Sequence, residues 1–186
     1  MNRIEIWNRL GWHALGMVGI FSLVGMTWAE DAPPRSLKIA AITGEFAGQD
    51  VDAAEKYKER THVVLFVNSD RWDRPIARYL KKLDSDLSEG IDEAPDAVAT
   101  VVWLTDDKEK AKEYLPKAQQ SLGLSRTAWT VFPGDKSGPV EWNVDVASTL
   151  TVVVLKKEKE VGRFAYVSTN DQDVPEAISA LKKSAE

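Results

Sequence analysis

The sequence predicts an α/β domain: a mixed central sheet with helices on both faces. Two runs of β-branched and apolar residues, at 61–68 and 97–104, lack polar alternation, as expected of strands covered on both sides. Each leads into a segment with helical apolar spacing. The chain then closes with two apolar strands around a charged turn and a last helix. That order adds an antiparallel hairpin to a parallel series.

Taken in order, 36–43 reads as a first strand and 52–60 as a short polar helix. The run 61–68 is the first buried strand. Over 74–88, Ile76, Leu80, Leu83 and Leu87 form one stripe, with Arg78, Lys81, Lys82, Asp84 and Asp86 off it. The run 97–104 is the second buried strand. A helix over 108–122 carries Ala111, Leu115, Ala118 and Leu122 on one side and stops at Gly123. Pro116 predicts a kink or restart within it. A short strand follows at 128–132. The runs 150–155 and 161–167 form a hairpin around a glycine-free turn at 156–160. Asp173 is the expected cap of a final helix, with Pro175 in its first turn.

Residues 1–29 stand apart from this pattern. Arg3 and Arg9 precede an uncharged stretch from Leu10 to Trp28, and Thr27 and Ala29 are small enough for signal-peptidase pockets. This is the arrangement of a secretory signal. The chain is therefore read as exported, periplasmic or secreted, with 30–35 as linker and 36–186 as the domain. The rival reading keeps 10–28 as an uncleaved membrane anchor, since a span needs about 20 apolar residues. Lipid attachment through cysteine is excluded because the chain has none.

Composition excludes more. The 186 residues carry a net charge of −5, and loss of 1–29 would remove two basic residues and one acidic one. An acidic domain argues against nucleic acid and anionic membrane surfaces as partners. With no cysteine and only His13 and His62, thiolate metal sites, iron–sulfur clusters and multi-histidine sites are impossible. No cofactor is expected. No P-loop, dinucleotide fingerprint or nucleophile elbow occurs, and Gly134–Gly138 has the wrong spacing for a phosphate loop. His62, at the mouth of a buried strand, reads as a packed or hydrogen-bonded residue.

The order of elements and two landmarks resemble the thioredoxin-like superfamily, in its exported thioredoxin, thioltransferase and peroxiredoxin-like branch. Strand 61–68 leads through Ser69, Asp70 and Arg71 to Trp72-Asp73-Arg74-Pro75-Ile76. That stretch matches W-C-x-P-C with both cysteines replaced, by Asp73 and Ile76. In 142–151, Trp142, Val144, Thr149 and Leu150 match the approach to the family's cis-proline, whose place Ser148 takes. Val67 stands where thioredoxins carry a buried acid. The resemblance implies a groove at which these landmarks meet.

Thiol–disulfide exchange needs an attacking thiolate and a resolving thiol. Asp73 and Ile76 supply neither, so that activity and thiol peroxidase activity are excluded. Asp73 reads instead as a helix cap. The main expectation is a redox-inactive domain that binds an unidentified protein or peptide, or is structural, through Trp72, Asp73, Trp142, Ala147, Ser148 and Thr149. By resemblance, Ala147–Thr149 would offer backbone to an extended peptide. A trans bond is expected before Ser148, because cis costs about 2.5–4 kcal/mol without proline. The alternative is a divalent-cation site or metal-assisted enzyme using Asp70, Asp73, Asp106 and Asp107, all of which follow predicted strands.

Overall fold

The computed structural model describes residues 35–183. The leader expected over 1–29 lies outside them. Among the described residues, no helix is long and apolar enough to cross a membrane.

The centre of the domain is strand β3 (Thr61–Asn68), of whose eight residues only Asn68 escapes burial. β3 pairs in parallel with β4 (Val98–Leu104), and β4 in parallel with β5 (Thr127–Val131). On its other side β3 pairs antiparallel with β6 (Leu150–Lys156), which pairs with β7 (Lys159–Tyr166). With β1 (Lys38–Ala41) and β2 (Asp50–Asp52), the seven-stranded order is β2-β1-β5-β4-β3-β6-β7. Continuous apolar runs form the inner strands because neither face of them meets water.

The period of two divides these strands between two cores. Val63, Leu65, Val67, Val101, Trp103 and Trp129 face one side. There they meet α2 (Arg74–Glu89), α3 (Lys108–Leu122) and α4 (Val174–Lys182). The stripe Ile76, Leu80, Leu83 and Leu87 is buried against the sheet, and so are Ala111, Leu115 and Ala118 of α3. Val64, Phe66, Val102, Leu104 and Val153 face the other side. Their cover is lighter: the one-turn helix α1 (Ala53–Lys56), the 3-10 turn Val140–Trp142, and Leu37 with Ile39. Helices therefore lie on both faces, but unequally.

Several expectations need correction. The first strand does not open the parallel series; β1 runs antiparallel to β5. It first folds back on β2, through a turn in which Gly44 and Gly48 have φ of 84° and 80°. The polar helix is only four residues, because Asp52 ends β2 and caps α1 through Ala54 N–H at 3.1 Å. Asp52 also accepts from Leu37 N–H and the Ser36 hydroxyl. Pro116 interrupts nothing: α3 is one helix over 15 residues, ending at Gly123 in the left-handed conformation. Asp173 makes no side-chain cap to α4; its carboxylate instead accepts from Asn170 N–H and the Thr169 hydroxyl. The β6–β7 turn tightens to Lys157 and Glu158, both at positive φ as a type I′ turn requires.

His62 is fully enclosed at the start of β3. One ring nitrogen, Nε2, lies 2.8 Å from the Thr100 hydroxyl, and the Tyr57 ring is tilted against it with centroids 4.6 Å apart. Burial, with the Arg60 charge second, pushes its pKa down to about 3. The unfolded chain takes up this proton near pH 6.5, the folded chain only near 3, so acid favours unfolding between those values. Stability should fall by about 2 kcal/mol from pH 7 to pH 5 on the linkage slope of 1.36 kcal/mol per unit. Urea unfolding of wild type and His62→Gln across this range tests it. The variant should have a flatter profile; parallel profiles would show that His62 is not the group responsible.

Candidate functional site

At the end of β3 the Asn68 side chain accepts from Asp70 N–H at 3.0 Å and starts a 3-10 turn, Ser69–Arg71. Trp72 follows in extended conformation. Asp73 then caps α2, its Oδ1 accepting Ile76 N–H at 3.0 Å, and Pro75 sits in the first helical turn where its missing donor costs nothing. The position that the resemblance assigns to an attacking sulfur is thus a carboxylate engaged with the helix backbone.

The second landmark lies alongside. Because Val67 pairs with Leu150, the residues just beyond β3 must meet those just before β6. Arg71 donates from its guanidinium to the Ala147 carbonyl, and Asn68 N–H reaches the Thr149 carbonyl at 3.4 Å. Asp145 organises this loop. Its carboxylate accepts Ala147 N–H at 2.9 Å and the Ser148 hydroxyl at 2.7 Å, and its carbonyl accepts Ser148 N–H. These bonds, the Ser148 hydroxyl foremost, hold the Asp145 carboxyl below the ordinary carboxylate range. Thr149 N–H donates to Tyr166, and its hydroxyl donates to Val167. All peptide bonds among the described residues are trans, that before Ser148 included. The backbone N–H groups of 147–149 and the carbonyls of Ala147 and Thr149 are therefore used within the chain. Ala147 is exposed, whereas Ser148 and Thr149 are buried.

Trp142 does not join Trp72 in a groove. It is wholly buried on the opposite side of the sheet, tilted against Phe66 at 5.6 Å, with its indole N–H on the Ser36 carbonyl at 2.9 Å. The 3-10 turn at Val140–Trp142 and the left-handed Asn143 direct the ring inward. Trp72 is half-buried on the helical side, 5.4 Å from Trp103 and 5.5 Å from Trp129. Its indole N–H donates to the Tyr114 hydroxyl at 2.9 Å.

Tyr114, 40% exposed, is a candidate site residue that the sequence pattern does not single out. It lies off the apolar stripe of α3. The Trp72–Tyr114 pair separates two hollows. One, of about 500 Å³, lies between α2 and α3 beside Arg74, Ala77, Lys117 and Leu122. The other, of about 330 Å³, is lined by Trp103, Thr105, Asp107 and Lys110.

The four strand-end carboxylates do not assemble into a cation site. The ammonium of Lys136 lies between Asp70 at 3.2 Å and Asp106 at 2.8 Å. Asp107 caps α3 through Lys110 N–H, as Asp73 caps α2. No group of three or more His, Asp or Glu side chains among the described residues is arranged to hold a metal ion.

No family model matches this chain, and no curated protein does. Solved structures do match. An uncharacterised thioredoxin-like protein from Porphyromonas gingivalis aligns with TM-score 0.58 at 15% identity, over 83% of this chain and 93% of its own. The exposed lipoprotein thioredoxin of Streptococcus pneumoniae aligns with TM-score 0.54 at 16% identity, over 78% and 98%. A secreted Mycobacterium tuberculosis disulfide oxidoreductase aligns with TM-score 0.55 at 11% identity, over 77% and 94%. The chain has the thioredoxin-like fold, without any cysteine.

Asp73→Ala should lower stability by about 1 kcal/mol through loss of the cap, and Asp73→Ser should restore most of it. Urea denaturation measures both. Unchanged stability in the alanine variant would refute the capping role.

Proposed function

We propose that the chain is an exported, redox-inactive thioredoxin-like domain that binds a protein or peptide through the surface around Trp72 and Tyr114. One observation carries this reading. Where thiol chemistry would start, Asp73 is a helix cap, yet beside it an aromatic pair stays at the surface, fixed by a hydrogen bond and flanked by two hollows. Amphipathic aromatics held rigid lose little freedom on binding and bury a large area.

Recognition works through side chains in this reading. Backbone pairing along Ala147–Thr149 is disfavoured, because Arg71, Asp145, Tyr166 and Asn68 already occupy the groups a peptide strand would need. The binding surface accordingly moves from Trp142 and the 147–149 loop toward α2 and α3. Export is supported by the leader pattern of 1–29 and by similarity to proteins described as exposed or secreted.

A photo-crosslinking residue at Ser121, which is exposed and lines the larger hollow, placed in the full chain in its native host, tests the surface. It should capture one partner in good yield, and the same residue at Glu158 on the hairpin tip should not. Trp72→Ala should reduce capture at position 121 about tenfold, in the range of a binding hot spot. Equal capture from both positions, or indifference to Trp72→Ala, would contradict this assignment.

A further inference from the structure

We infer that the cleft between α2 and α3 takes an acidic segment of its partner, one that carries an apolar side chain beside its carboxylates. This rests on the Trp72 face being a binding surface and specifies what that surface selects.

The charge order of α2 is the first observation. Its bases, Arg74, Arg78, Lys81 and Lys82, all precede its acids, Asp84, Asp86 and Glu89. Its first turn holds no acid and its last turn no base. That order opposes the helix dipole, which favours anions at the N-terminus and cations at the C-terminus by about 0.3–1 kcal/mol each. Asp84 and Asp86 are explained within the chain, since Asp84 accepts from Ser125 and Arg126 N–H and Asp86 pairs with Lys82, but Arg74 in the first turn has no ion-pair partner among the described residues. Charge placed against a local rule points to a use elsewhere.

The second observation is an imbalance in what the cleft's charges are doing. Its acids are engaged: Asp73 and Asp107 cap helices, and Asp70 pairs with Lys136. Its bases are not: among the described residues Arg74, Lys110 and Lys117 have no ion-pair partner, although all three line the hollows. Lys110, Tyr114 and Lys117 recur at helical spacing, which puts both ammonium groups on the face that carries the aromatic. In the smaller hollow Lys110 faces Asp70 and Asp107, but the larger one sets two unpaired bases, Arg74 and Lys117, against the single acid Asp73, on a chain of net charge −5.

The floor supplies the apolar half of the specificity. Ala77, Ala118 and Leu122 underlie the larger hollow, with Trp72 and Tyr114 as its wall. A concave apolar floor inside a cationic rim suits a side chain such as Leu or Phe flanked by Asp or Glu. It suits a flat anionic bilayer less well. Unpaired bases at such a rim attract acidic partners and repel basic ones.

A random dodecapeptide library displayed on phage, panned against the full chain, tests this. Recovered peptides should place Asp or Glu within four residues of Leu, Phe or Trp. Their affinity, measured by fluorescence anisotropy, should weaken about tenfold between about 0.05 and 0.3 M salt, and similarly in the Arg74→Glu, Lys117→Glu double variant. Recovery of neutral or basic peptides that depend on Trp72 but ignore charge reversal would overturn the acidic specificity and leave the Trp72 surface standing. Recovery of no peptide that depends on Trp72 would overturn both. Phosphatidylglycerol vesicles serve as a separate arm. Charge-dependent cosedimentation with them that a recovered peptide does not compete would reassign the basic rim to membrane and refute the inference.

Discussion

The pairing of β3 with β6 governs the molecule. β3 is buried on both faces and bonded on both edges, so its exit point is fixed by the centre of the sheet. Val67 opposite Leu150 forces the turn at 69–73 to lie against the loop at 145–149, whatever residues occupy them. The Arg71 bond to Ala147 follows from that adjacency. So does the position of Trp72, which leaves the strand just where α3 can present Tyr114 to it.

Adjacency at this place serves thiol chemistry only where sulfur is present. A helix N-terminus stabilises a thiolate, and it equally favours a carboxylate that caps it. Asp73 takes the second role and gives up nucleophilicity. The loop across from it has closed its own hydrogen bonds through Asp145. What remains open is side-chain surface: an indole and a phenol over small apolar residues, edged by Arg74 and Lys117, which have no ion-pair partner among the described residues.

How much of this was legible in the sequence depended on how local each cause is. The run 61–68 announces a doubly covered strand by itself, and Gly123 announces a helix stop. Asp73 before Arg-Pro reads as a cap from neighbouring residues alone. By contrast, β2 is three residues long and two of them are acidic, so no alternating pattern marks it. Trp142 looks like a surface aromatic until Ser36, far away in sequence, receives its N–H. Tyr114 acquires meaning only from Trp72, which lies 42 residues earlier. Likewise the strand-end carboxylates suggest a cation site, and it is Lys136, from a loop beyond β5, that occupies the space between two of them. Long-range partners of single polar atoms leave no periodic trace, which is why the framework was readable and the site only partly so.

Nuclear Overhauser contacts in solution test the central claim most directly, that the sulfur-free fold still clasps its two landmarks and holds Trp72 against Tyr114. The account predicts contacts between the Arg71 side chain and Ala147, and between the Trp72 indole N–H and the Tyr114 ring, with that N–H protected from solvent exchange. Absence of both contacts, with an indole proton exchanging as freely as that of an unfolded chain, would contradict it.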